Sequence, residues 1–380
     1  MNRRRQRGFT LIELMVALVV SSLLVGMILA IFSRMSLAYR GQQQIAGVQQ
    51  VLAAARATIE LDAKQAGLAM AQGFKLAGAP TVAHSPVQVT NSSTGPDQIA
   101  FFYADPTNQA AVQAPDPTAA EWAALPSVTV DSTGGFVAGD LVVLSKPDLT
   151  TAGPLGGANI ATYDACVMQI APGGVVVGPP SMLRFSTAPP WGRGDSSQCS
   201  PPRSGLGATM IYKFVAHAYR IDPDPDPLRT AIGPLQGSLT GGLIGTAADN
   251  WTDLAYGFTD IQTALQVFDK DGIDTADLDS DGDREWYSGV AQDAVTASAL
   301  APPGGLLQMS ISLVARTDRD VEGIATQETP DLIVAVIPNN NTIGDHPKVT
   351  LPWAIDPTLP GRIYRYTTFQ VDLRNLGVGR

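Results

Sequence analysis

The sequence predicts an α+β chain: one long N-terminal α-helix packed on a mostly antiparallel β-sheet head with long loop insertions. Three observations carry that expectation. No proline occurs before Pro80, so nothing forces a break in a helix that begins near Phe9. Apolar residues recur at steps of three and four up to residue 66, whereas beyond Gly73 the apolar stretches have strand length and are bounded by Gly, Pro and Asp. Finally, 37 glycines and 28 prolines among 380 residues, with only 16% charged, favour turns and short strands over a helical bundle.

The chain divides into four parts: a basic leader (1–8), an apolar half-helix (9–33), an amphipathic half-helix (34–66) and a β-rich head (67–380). The leader carries Arg3, Arg4, Arg5 and Arg7 before Gly8. From Phe9 to Ser33 the run FTLIELMVALVVSSLLVGMILAIFS holds one charge, Glu13, and is long enough to cross a hydrocarbon core of about 30 Å. The arginines keep the leader cytoplasmic by the positive-inside rule and place the body across the membrane. A secretory signal peptide is a poor reading: the run is too long, no small-x-small site comes after it, and a glutamate inside it is counterproductive. As a plain anchor the segment still pays for Glu13, about 2.5–3.5 kcal/mol at mid-membrane and less near the interface. Cleavage after Gly8 would supply the missing partner, because the new amine of Phe9 can neutralise a carboxylate, on the same chain or on the adjacent copy in an assembly.

The helix is expected to continue. Ile45, Val48, Leu52, Ala55 and Ile59 form an apolar stripe, with Gln42, Gln43, Gln44, Gln49, Gln50, Arg56 and Glu60 on the solvated side. From Phe9 to Ala66 it would measure about 87 Å, with Gly67 and Gly73 as the stop. In the head, strands are expected at 98–104, 139–145, 165–170, 209–221, 306–316, 331–337 and 365–375. The Pro-rich stretches 187–205 and 222–227 read as irregular loops.

The eleven residues R-G-F-T-L-I-E-L-M-V-A at 7–17 resemble the class III signal of type IV prepilins and type II secretion pseudopilins. The family pattern is a short basic leader, Gly at the cut, a Phe that is methylated after cleavage, Glu fifth in the mature chain, then an apolar helix. Gly8, Phe9 and Glu13 match it position by position. The resemblance implies cleavage and N-methylation at Gly8 and Phe9, Glu13 as an assembly charge, and a pilin-like fold. The stem AYRGQQQIAGVQQVLAAARATIELDAKQAG, the order DQIAFFY, GDLVVLS, CVMQI, a late SISLVAR and a terminal YRYTTFQVDLRNLG resemble PilW-type minor pilins. GspJ-type pseudopilins share the plan and are the close rival. Major pilins often carry a proline where this chain has small neutral residues such as Ala30, a departure that points to a minor subunit.

On this resemblance the expected partners are other minor pilins and the major pilin through the N-terminal helix, the prepilin peptidase, the inner-membrane assembly platform and a tip adhesin. The expected location is the inner membrane with a periplasmic head, then a pilus fibre or tip. A membrane-tethered binding or hydrolytic ectodomain is the alternative from another class.

Charge excludes one partner. Without the four leader arginines the chain holds 21 Lys+Arg against 35 Asp+Glu, near −14, which is a poor match for phosphate backbones. Cys166 and Cys199 are the two cysteines, and in a body outside the cytoplasm they are expected to form a disulfide worth roughly 3–4 kcal/mol.

The sharpest candidate for a ligand is DKDGIDTADLDSDGDREW, starting at Asp269. Asp277, Asp279, Asp281, Asp283 and Glu285 alternate around Gly282, and calcium takes six to eight such hard oxygens. Position 12 of an EF-hand loop is Ser288 here, so the run is closer to the shorter D-x-D-x-D-G-x-x-[DE] loops of extracellular modules. Asp269, Asp271 and Asp274 complete that site or form a second. The DPDPDP run at 222–227 reads as a rigid turn, and Arg193–Asp195 as a chance RGD. For catalysis the sequence offers little: His84, His217 and His346 lie far apart, and no G-x-S-x-G or phosphate-cradling loop occurs. No enzyme is expected.

Overall fold

The computed structural model describes residues 10–70, 73–77, 79–92, 96–148, 162–187, 199, 201–205, 207–222, 233–238, 251–268, 284–288, 305–317, 363–373 and 375. The first element is the helix α1, Leu11–Gln65, 55 residues without interruption. Its end is set by glycine. Gly67 sits at φ 80°, a conformation that costs a Cβ-bearing residue, and its N–H donates to Phe102 O at 2.9 Å.

The head adds β1 (Phe74–Leu76), β2 (Ala79–His84), β3 (Val87–Thr90), β4 (Gln98–Ala111), a short helix α2 (Ala119–Ala124), β5 (Ser127–Val130), β6 (Leu141–Asp148), β7 (Thr162–Val176) and β8 (Ser181–Phe185). Beyond these lie β9 (Met210–Ile221), β10 (Gly233–Ser238), β11 (Trp251–Phe268), β12 (Arg284–Ser288), β13 (Gly305–Arg316) and β14 (Tyr364–Asp372). The sheet runs β14-β13-β11-β10-β9-β6-β7-β1-β2, with β4 also on β9, β3 on β4, β12 on β11, β8 on β7 and β5 on β8. Among the described pairs only β1 with β7 is parallel. The expected α+β layout, a long apolar helix before a mostly antiparallel sheet, is what the chain adopts.

Strand boundaries moved for identifiable reasons. β4 runs seven residues past Ala104, through Pro106, because the register shifts between Asp105 and Gln109 and the bulge takes the proline. The Asp105 carboxylate holds that bulge, accepting from Thr107 N at 2.9 Å and from Asn108 Nδ2 at 2.7 Å. β7 likewise continues through Pro172 to Val176, with a register shift between Ile170 and Val175. A Cβ on Gly174 would stand 2.4 Å from Arg184 O, so only glycine fits this crossing. The expected strand at 331–337 lies outside the described residues.

Helix and sheet share one core. Leu52, Ala55, Ile59, Ala63 and Ala66 at the end of α1 pack on Ile99, Phe101, Ile261, Leu265, Met309, Ile311, Leu313, Phe369 and Val371. Strand periodicity selects the face: Met309, Ile311 and Leu313 alternate with Ser310 and Ser312. A second core lies at the other end, where Trp122 of α2 sits with Val128, Phe136, Met168, Leu183 and Phe185. There Cys166 and Cys199 are bonded, with Cα atoms 5.9 Å apart, and Trp122 Nε1 donates to Cys199 O at 2.6 Å. The disulfide therefore ties the segment around Cys199 to β7 and lets its carbonyl satisfy a buried indole.

Candidate assembly site and stalk joint

The first turn of α1 is built from Thr10 and Glu13. Thr10 is the N-cap, and its backbone N–H and its hydroxyl each donate to Glu13 Oε2 at 3.0 Å. Glu13 N–H donates back to Thr10 Oγ1 at 3.4 Å, which closes a capping box. A carboxylate in the first turn also meets the positive end of the helix dipole. Glu13 Oε1 takes no hydrogen bond among the described residues, so one oxygen stays open to a donor from outside the turn. Gly8 and Phe9 lie outside the described residues.

Beyond Glu13 the helix surface is apolar and bare. Leu11, Ile12, Leu14, Met15, Leu18, Leu23, Ile28 and Phe32 are each more than half exposed, so this half of α1 stands clear of the head. Its polar atoms are satisfied within the helix. Ser21 Oγ donates to Ala17 O at 2.7 Å, Ser22 Oγ to Val19 O at 2.8 Å and Ser33 Oγ to Ala30 O at 3.2 Å. Such a segment suits lipid or a ring of similar helices, where every backbone and hydroxyl group must find an internal partner.

The other end of α1 is locked to the head by a group that sequence reasoning missed. Asp62 lies on the buried stripe, 4% exposed, near a helix C-terminus whose dipole disfavours an anion. Three donors from the sheet hold it. Tyr103 OH donates to Oδ1 at 2.9 Å, and Tyr219 OH donates to Oδ2. His217 Nδ1 stands 2.7 Å from Oδ2, which places its proton on that nitrogen.

Register explains the convergence. His217 and Tyr219 are two apart on β9 and face the same way, and β4 pairs alongside, with Phe101 opposite His217 and Tyr103 opposite Val215. Burial, then the Asp62 charge, raises both phenols well above the ordinary tyrosine range, so both remain donors. His217 is thus a structural ligand of the helix. Asp62 alone carried a signal, coming three residues after Ile59 on the apolar stripe; its partners carried none.

Smaller contacts complete the joint. Arg56 stacks over the Phe369 ring at 5.2 Å, Glu60 bridges Arg56 and Lys64, and Asn375 Nδ2 donates to Lys64 O and Gln65 O at 3.1 and 3.2 Å. The last two bonds satisfy carbonyls that a helix end leaves open. A bare apolar rod is thereby joined to a head.

The remaining candidates divide by position. Asp269, Asp271, Asp274, Asp277, Asp279, Asp281 and Asp283 lie outside the described residues, as do His346, Arg193–Asp195 and most of 222–227. Glu285 lies on β12, opposite Val267 of β11, so residues 269–283 join two paired strands. His84 is separate, stacked on Phe74 at 5.4 Å, and burial lowers its pKa. Among the described residues no cluster of His, Cys, Asp and Glu could hold a metal ion.

Residues 3–29 match the family model of the prokaryotic N-terminal methylation motif. Comparison with curated proteins and comparison with solved structures give no match. The methylation motif, heading an apolar helix on a mostly antiparallel sheet, supports a type IV pilin-family protein anchored in the membrane before assembly.

Proposed function

We propose that the chain is a minor pilin of the PilW type, a non-catalytic subunit that takes part in initiating or capping a type IV pilus. The observation that carries this reading is the methylation motif at the head of an apolar half-helix whose large side chains, from Leu11 to Phe32, are exposed. Prepilin peptidase cuts after Gly8, Phe9 is methylated, and Glu13 docks the N-terminal amine of a neighbouring subunit during extraction from the membrane. The open Glu13 Oε1 supports that role, because the capping box occupies only Oε2. Other minor pilins, the major pilin, the assembly platform and a tip adhesin are the partners, with the head in the periplasm before assembly.

Glu13→Ala tests it. Processing should proceed while assembly fails, and normal piliation in that variant refutes the docking role. A GspJ-type pseudopilin of a type II secretion system would use the same helix and the same charge. Recovery of the chain in sheared surface filaments favours the pilus, and confinement to the envelope favours the secretion system.

The acidic run is proposed as a calcium loop between β11 and β12, with Asp277, Asp279, Asp281, Asp283 and Glu285 as ligands. Five carboxylates within nine residues repel strongly without a cation. Calorimetry at millimolar calcium should show binding that Asp277→Ala with Asp281→Ala removes; no heat of binding at that concentration refutes the site.

A further inference from the structure

The apolar half of α1 ends at Ser33, and the exposed side chains of the next two turns include Arg34, Tyr39 and Arg40 beside Met35 and Ala38. At about 100° per residue the two arginines and the tyrosine stand roughly 140°, 100° and 120° apart, which makes a girdle around the helix rather than a stripe. Neither arginine forms an ion pair with a described residue. Leu11 to Ser33 measures about 35 Å, against a hydrocarbon core of about 30 Å. With Thr10 at the outer limit of one headgroup layer in a bilayer about 40–45 Å thick, Arg34 at about 36 Å falls in the other headgroup layer and Tyr39 and Arg40 at about 44–45 Å reach its outer edge.

We infer that Arg34, Tyr39 and Arg40 clamp the phosphate headgroups of anionic phospholipid in that far leaflet. The inference rests on the membrane-anchored reading above. A guanidinium presents a planar fork that matches phosphate oxygens, and its stem lies along acyl chains while the head reaches the interface. A phenol also belongs at the headgroup level.

The charge order adds a consequence. Basic residues on the far side oppose the positive-inside preference, which here depends on the four leader arginines. No Lys or Arg lies between Phe9 and Arg34, so removal of residues 1–8 leaves at the near end the new Phe9 amine, offset by Glu13, against two arginines at the far end. Cleavage then reverses the flanking bias, and the helix is held from its outer end, the direction in which an assembling subunit leaves.

The test is carbon–phosphorus dipolar dephasing by solid-state NMR on the full chain, labelled at the arginine guanidino carbons, in phosphatidylglycerol vesicles. The difference between the wild type and the Arg34→Gln, Arg40→Gln pair should contain dephased signal for two arginines, while Arg56→Gln should remove none. A wild-type spectrum that matches the double variant overturns the clamp. In a phosphate-free glycolipid bilayer with inorganic phosphate in the buffer, the same difference signal would mean capture of free phosphate and overturn the lipid assignment. Alkali extraction separates the two levels. A chain retained by the vesicles without dephasing refutes the clamp alone, and a chain released by alkali refutes the anchoring reading and the clamp with it.

Discussion

Replacing Asp62 with alanine should detach the stalk from the head. The carboxylate is buried and receives Tyr103 OH, Tyr219 OH and His217 Nδ1. Hydrogen bonds to a charged group contribute about 1.5–3 kcal/mol each. The sum overstates the loss, because the variant also relieves the desolvation of a carboxylate at a helix C-terminus. Tyr219 OH is nevertheless left buried without its acceptor and Tyr103 OH keeps only His217 Nδ1 at 3.4 Å, so the expected destabilisation is about 3–5 kcal/mol, as for breaking other buried polar pairs. The same logic predicts rescue: Asp62→Leu with Tyr103→Phe and Tyr219→Phe should recover more than half of the loss, since no orphaned phenol remains. The assay is urea unfolding combined with amide hydrogen exchange along residues 51–66, whose protection should collapse in the alanine variant. Lys64→Ala, at an exposed pair, is the control and should leave both readouts unchanged. A loss below about 1 kcal/mol for Asp62→Ala, or no rescue in the triple variant, would show that Asp62 does not lock the joint.

Three further outcomes are expected. Burial, with the Asp260 charge adding to it, pushes the Asp97 carboxyl up to about 7, while the unfolded chain releases that proton near pH 3.9. Folding therefore takes up a proton between about pH 4 and 7, and stability falls as pH rises through that window, by up to about 4 kcal/mol. Asp97→Asn should flatten the slope of urea midpoints measured from pH 4.5 to 8; parallel slopes in the two proteins would contradict it. Cys166→Ser with Cys199→Ser should cost roughly 3–4 kcal/mol by opening a loop of 33 residues, read as a lower calorimetric Tm. Ile59→Ala, at a fully buried site under the sheet, should cost about 2–5 kcal/mol in the same unfolding assay.

The long helix and six of the described strands were legible because their patterns are local. A proline-free stretch and a three–four stripe announce α1, and alternating runs such as 209–221 announce β9. β11 was not legible. WTDLAYGFTDIQTALQVF carries Asp253, Asp260, Gln262 and Gln266 inside a strand of 18 residues, and the sheet buries the last three of these. Polarity there reports hydrogen bonding on one face of a two-faced sheet, which no single-strand pattern reveals. α2 did carry a signal: Thr118 and Glu121 spell a capping box, and both of its bonds form.

The N-terminal methylation motif over residues 3–29 was readable because it is a contiguous signal. The Asp62 cluster was not, since its members lie at 62, 103, 217 and 219 and meet only through the pairing of β4 with β9. His217 looked isolated in sequence for the same reason.

The proposed docking role of Glu13 depends on what happens to the first eight residues. Mass analysis of the N-terminus, on chain recovered from cells that assemble it, reads that directly. The mature chain should begin at N-methylated Phe9, with Glu13 fifth. A chain that still begins at Met1, or one cut near Ser33, would overturn the pilin reading and point to a tethered or secreted ectodomain.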